Sequence, residues 1–175
     1  DFYTLVTTAP AANQPPIAQT YPYYVLVEAM GSDESTVEAA LADAYERMMV
    51  RLLAFALHAH EALAFGRGLS TEEEPALWQK DLTGAIDLWI EVGQPEEKTV
   101  RRACGRAKQV YVYTYGGRGA DQWWEKNLVT LDRLNNLTVM NLPLNGSRAL
   151  TALAQPSMQL QCTIQEGQIW IADGE

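Results

Sequence analysis

Asp81-Leu-Thr-Gly-Ala-Ile-Asp87-Leu-Trp-Ile-Glu91-Val-Gly-Gln-Pro95 places two acids on a run that otherwise reads as a buried β-strand. Successive side chains of a strand point to opposite faces, so Ile86, Leu88, Ile90 and Val92 form one apolar side, and Asp87, Trp89, Glu91 and Gly93 form the other. Burying an unpaired carboxylate is costly, so acids in this setting call for a cation, a metal or a cleft. The plain alternative is the exposed face of a half-solvated sheet, and periodicity alone favours neither. On a straight strand at roughly 3.3 Å per residue, the Cα atoms of Asp87 and Glu91 lie about 13 Å apart. Hard-cation ligands sit at about 2.0 to 2.6 Å, so the two acids cannot both ligate one ion directly. Each needs a partner, such as Asp81 near the turn or Glu46 on the preceding helix, unless a bulge at Gly84 or Gly93 changes the geometry.

Around this strand the chain alternates. Ala76 to Leu82 pairs with Ala85 to Val92 as a hairpin turned at Thr83-Gly84, and Pro95 opens a helix over Glu96 to Lys108. Val110 to Tyr115 reads as a strand, Ala120 to Lys126 as a short helix, Leu137 to Leu142 as a strand and Arg148 to Ala154 as a helix. A closing hairpin, Met158 to Gln165 and Gln168 to Ala172, turns at Glu166-Gly167. Upstream, Ser32 or Ser35 caps a helix that runs to about His58, apolar on nearly every side over Met48 to Leu57 and therefore central and buried. Gly66-Arg67-Gly68 breaks the pattern that follows it. Phe2 to Thr7 and Tyr23 to Glu28 read as an N-terminal hairpin joined by a segment that holds four of the eight prolines. The alternation predicts a single α/β (α+β) domain over residues 1–175, with a mixed sheet.

Charge is distributed unevenly. The chain holds 13 Lys and Arg against 22 Asp and Glu, a net −9 over 175 residues, which argues against a general nucleic-acid binder. Seven of the acids lie in residues 1–46, which contain no Lys or Arg; Lys98 to Arg118 holds six basic residues and no acid. Charge runs usually serve solubility, but this one follows the acidic strand directly. With 47% hydrophobic residues, the composition is that of a folded chain. Cys104 and Cys162 form no C-x-x-C pair, which disfavours a disulfide framework or zinc ribbon and suggests a reducing, cytoplasmic setting. The opening residues carry no signal-peptide pattern, and Met48 to Leu57, broken by Arg51, is too short for the roughly 20 residues of a membrane span.

Several runs carry a resemblance. Glu46-Arg-Met-Met-Val-Arg-Leu-Leu-Ala-Phe-Ala-Leu-His58, Ile86 to Pro95, Ala103-Cys-Gly-Arg106, Tyr113-Thr-Tyr-Gly-Gly-Arg118 with Trp123-Trp124, and Ser157-Met-Gln-Leu-Gln161 resemble the bacterial YaeQ family, over essentially Glu46 to Glu175. The resemblance implies a restriction-endonuclease-like core of the PD-(D/E)-x-K superfamily: a central mixed β-sheet flanked by helices, with N- and C-terminal β-hairpins. It also implies a poorly defined biochemical role with a loose connection to transcription. Carried over residue by residue, Glu46 supplies the helix acid, Asp87 (or Asp81) the strand acid, and Glu91 opens Glu-x-Lys, with Gly93 where the lysine belongs. In such enzymes the acids, here Asp87 and Glu91, hold Mg²⁺ or Mn²⁺ and the lysine positions the attacking water. Gln94 is then the candidate to orient a water, and Lys98, Arg101 and Arg102 the candidates to meet a DNA or RNA backbone. Three readings stay open: a metal-dependent nuclease-like domain, a non-catalytic interaction protein that lost the motif lysine, and a fold remnant whose acids only pair with Arg47, Arg51 or Arg101.

Other candidates are weaker. His58-Ala-His60 suggests a metal, but residues two apart on a helix diverge by about 200°, so histidines favoured by the helix dipole are preferred. Cys104 reads as a buried structural thiol. Gly116-Gly-Arg-Gly119 lacks a P-loop ending and reads as a turn. One of Trp123 and Trp124 should face the core.

Overall fold

The computed structural model of the chain describes residues 33–66 and 74–174, all within one unit running from Gly31 to Glu175. The expected N-terminal hairpin lies outside the described residues. Helix α1 spans Glu34–Leu57 and is capped by Asp33, whose side chain accepts from the Thr36 amide, while the Ser35 hydroxyl donates to the same carboxylate. The cap is therefore neither Ser32 nor Ser35: a carboxylate satisfies the open amides of the first turn and also suits the helix dipole. Met49, Val50, Leu53 and Ala54 are buried, whereas Met48, Leu52, Phe55 and Leu57 are only partly so. The helix is one-sided, and its apolar run widens a single buried stripe.

Five strands form a mixed sheet in the order β1-β2-β3-β4-β5: Leu63–Phe65, Leu77–Lys80, Ile86–Val92, Ala107–Thr114 and Leu137–Asn141. β1–β2 and the β2–β3 hairpin are antiparallel; β3, β4 and β5 run parallel. β1, three residues long, is too short to leave a period in the sequence. It is tied in by Gly66, whose amide donates to the Ala76 carbonyl. A Cβ at Gly66 would collide with the Pro75 carbonyl oxygen, so only glycine fits this approach. Asp81 builds the β2–β3 turn by accepting from the Thr83 amide and hydroxyl and the Ala85 amide.

Helices cover both faces, which explains the near-continuous apolar reading of β3 and β4. On one side α1 packs with Leu150 of α4 (Leu144–Thr151) against Leu77, Ile90, Val92 and Tyr113. On the other, α2 (Glu97–Cys104) and α3 (Arg118–Leu131) pack through Val100, Ala103 and Leu131 against Trp89, Val110 and Val112. Fully buried side chains of this size contribute roughly 1.5 to 3 kcal/mol each.

Several boundaries move. α2 stops at Cys104 because the Asn136 side-chain amide donates to the Cys104 and Ala107 carbonyls, ending the helix and starting β4 three residues before Val110. α3 is longer than Ala120 to Lys126, and α4 begins earlier than Arg148, after Pro143, with Gly146 inside it masking its helical character. The closing hairpin is present as β6 (Leu160–Gln165) and β7 (Gln168–Asp173), a separate two-stranded sheet whose turn residues Glu166 and Gly167 both have positive φ.

Candidate functional site

The parallel strands β3, β4 and β5 end at Val92, Thr114 and Asn141 on a common edge, the position where open α/β sheets bind ligands. Glu91 lies just inside it, 8% exposed, and accepts a 2.8 Å hydrogen bond from the indole nitrogen of the fully buried Trp89. Burial pushes the Glu91 carboxyl above the ordinary range, outweighing the opposite pulls of the indole, Arg47 and Arg102.

Sequence alternation placed Gly93 beside Asp87, Trp89 and Glu91; the backbone places it elsewhere. At φ +101° the chain turns out of its pleat, and a Cβ there would lie 3.0 Å from Arg47 Nη1 and 3.9 Å from the Tyr115 ring. Arg47 reaches over from α1 and donates through Nη1 to the Val92 carbonyl at 2.6 Å. It also hydrogen-bonds Tyr115, whose phenol is pushed up to about 12 by burial and by Asp43 and Glu46, against the pull of Arg47. Gln94 donates through Nε2 to the Tyr115 carbonyl at 2.6 Å, so its amide ties the end of β3 to the end of β4. Beside it, Gly116 and Gly117 take positive φ and lead into α3, a 14-residue helix whose N-terminus has no side-chain cap. Thr114, Asn141 and Asp121 form a hydrogen-bonded chain along the same edge.

The remaining predicted residues are spread out. Asp87 lies at the opening end of β3 and pairs with Lys108 at 2.6 Å, which raises the Lys108 pKa. Asp81 belongs to its turn, with a carboxyl lowered chiefly by the Thr83 hydroxyl. Glu46 is on α1, which covers the Ile90 and Val92 face, opposite the face of Asp87 and Glu91; its Oε1 is buried without a hydrogen-bond partner. Glu46, Asp87 and Glu91 therefore do not meet, and among the described residues no three His, Cys, Asp or Glu form a group fit to hold a metal. Of the α2 cations, Lys98 pairs with Glu96 at 2.8 Å and Arg101 with Glu97 at 3.6 Å, acids just before the basic segment. Arg102, not Arg101, exerts its pull on Glu91.

His58 Nε2 lies 2.8 Å from the Tyr113 hydroxyl in a half-buried position, and burial lowers its pKa, the opposite of the rise that a helix dipole favouring the charged ring would give. His60 Nδ1 accepts from the Ala62 amide. Burial raises the Cys104 thiol, as suits a structural cysteine. Both Trp123 and Trp124 pack on the Val112 cluster, Trp123 donating to the Pro95 carbonyl at 2.8 Å. Sequence reasoning missed Arg47 and Tyr115 as edge residues; the one available signal was that Arg47 adjoins Glu46.

Residues 36–175 match the family model described as YaeQ protein. The uncharacterized protein YaeQ of Escherichia coli K12 is 42% identical over 128 residues, 73% of this chain and 71% of that one, and its Salmonella typhi counterpart matches equally. Among solved structures, YaeQ from Xanthomonas axonopodis pv. citri aligns with TM-score 0.71 and 46% identity, over 74% of this chain and 73% of that one. YaeQ from Pseudomonas syringae aligns with TM-score 0.67 and 36% identity, over 74% and 71%.

Proposed function

The chain belongs to the YaeQ family, and on that premise we propose that it is a restriction-endonuclease-like domain that binds a DNA or RNA phosphate backbone at the carboxyl edge of β3 to β5 without cleaving it. One observation carries this reading: three parallel strands end beside the uncapped N-terminus of α3, with Arg47 from α1 at the edge, Arg102 near Glu91, and Arg118 opening α3. Helix N-termini and guanidinium groups both favour phosphate.

The motif acids argue against hydrolysis. Asp87 is neutralised by Lys108 about 13 Å along the strand from Glu91, and Glu46 sits across the sheet. These side chains do not fit a shared Mg²⁺ or Mn²⁺, and no step is routed through one.

Fluorescence anisotropy with labelled DNA and RNA duplexes over a salt series tests the reading. The logarithm of the binding constant should fall linearly with log salt, with a slope of about 0.9 per phosphate neutralised. A protein that binds neither duplex refutes it. Thermal unfolding with Mn²⁺ tests the metal side: a native-state ligand at 100 times its Kd adds about 2.7 kcal/mol, and such a shift, abolished by Glu91→Ala, would restore the nuclease reading. A protein-interaction reading is favoured by a different observation, the exposed Ile164, Ile169 and Trp170 of the closing hairpin.

A further inference from the structure

We propose that Arg47 is the phosphate-binding cation of this edge, held by helix α1 in the space that a side chain at residue 93 would otherwise fill; the inference rests on the nucleic-acid reading above and names the group that carries it. Gly93 and Arg47 are complementary. The positive φ of Gly93 turns its missing Cβ toward Arg47 Nη1, 3.0 Å away, so any larger residue would both strain the backbone and push the guanidinium aside. The groups around the guanidinium are weak competitors for a phosphate. Among the described residues its hydrogen-bond partners are the Val92 carbonyl and the Tyr115 phenol, which keeps its proton far above neutrality. Among the described residues no carboxylate lies within ion-pairing distance of it.

A guanidinium carries five N–H donors in a planar fork, and the Val92 carbonyl and Tyr115 engage only part of that set. The rest suits the paired oxygens of a phosphodiester. Nearby charge points the same way. Arg51, one turn along α1, is pushed down by burial and by Arg47, so two guanidinium groups reinforce each other's positive field. Arg51 itself donates to the Gly66 and Ala76 carbonyls and lies over the Phe65 ring, away from the strand edge, whereas Arg47 stands at that edge against Val92 and Tyr115. Asp43 and Glu46, which both act on Tyr115, and Glu91 temper this field, and none of the three closes an ion pair with Arg47.

The test compares wild type with Arg47→Ala, Arg47→Lys and Arg47→Gln in the same anisotropy salt series, with melting curves to establish folding. Arg47→Ala should weaken duplex binding about tenfold or more and reduce the slope against log salt by about 0.9, the loss of one phosphate contact. Arg47→Lys should restore the slope, because charge returns, but only part of the affinity, because the fork does not. Should Arg47→Ala fail to fold, Arg47→Gln keeps an amide donor for the Val92 carbonyl and its slope decides. Wild-type binding with an unchanged slope in the charge-removing variant overturns the role of Arg47 and leaves the nucleic-acid reading standing. Wild type that binds neither duplex overturns both. DNA and RNA arms that respond alike identify the phosphodiester as the recognised chemistry; loss confined to one arm overturns the assignment to phosphate.

Discussion

Glu91 offers the sharpest test of the site's electrostatics. Glu91→Ala leaves the indole N–H of Trp89, a fully buried residue, without its 2.8 Å acceptor. A buried donor left unpaired costs about 1 to 3 kcal/mol, so a loss near 2 kcal/mol is expected. For a chain of 175 residues that corresponds to a fall of roughly 4 to 8 °C in Tm. Glu91→Gln retains a carbonyl acceptor and should stay much nearer wild type. The pH dependence separates the two forces on the carboxyl. Its folded pKa is raised, so the folded state binds the proton more tightly than the unfolded chain does. The stability this provides is fully present below the ordinary glutamate value, about 4.3, and is lost as pH rises through the folded pKa. Glu91→Gln cannot ionise, so it should gain on wild type as pH rises across that window, measured by urea unfolding at a series of pH values. If wild type instead gains on Glu91→Gln as pH rises, the attraction of Arg47 and Arg102 outweighs burial, and the account of the site is wrong.

Other expectations follow from single contacts. His58 has a lowered folded pKa, so its stabilising contribution is present above the unfolded value near 6.5 and lost as pH falls through the folded pKa; His58→Phe should flatten that acid limb in a pH series of melts. Gly66→Ala drives a Cβ into the Pro75 carbonyl oxygen, a backbone atom that cannot swing aside, and should cost at least about 2 kcal/mol by urea unfolding. Trp89→Phe removes the indole donor to the Glu91 carboxyl and some packing, and should raise the Glu91 pKa further, read from its side-chain carboxyl shift by NMR.

The sheet was legible where the chain has strong periods or turn chemistry. The β2–β3 hairpin announced itself through Asp81 to Ala85, the closing hairpin through Glu166-Gly167, and β5 through its apolar run. β1 was invisible because three residues hold no period, and α2 was overextended because its stop comes from Asn136, a distant side chain that sequence position cannot place. That Glu91 is buried could be read from the strand, since a Glu between Ile and Val on an apolar run is a local anomaly. The proposed company of that acid was not legible. Alternation assumes an unbroken pleat, and one positive φ at Gly93 turns that position across the edge toward Arg47 of α1. Arg47 could not be found from the strand because it arrives from a helix more than forty residues upstream. The face that Glu46 serves depends on how α1 docks, a tertiary fact.

The closing hairpin has a mechanical consequence. One face of β6 and β7 carries Leu160 and Ile171, which are clamped to the core, and then Ile164 and Ile169 near the turn, which remain 52% and 42% exposed. The Gly174 amide fastens the same base to the Gln159 carbonyl. The element is thus a cantilever, fixed at one end and loaded with greasy residues at the other. Hydrogen bonds within the ribbon transmit force along it, so a weight placed on the tip acts with leverage on the anchor beside Leu160 and through it on the α1 side of the core. In a stiff two-stranded beam, where something grips matters as much as how strongly.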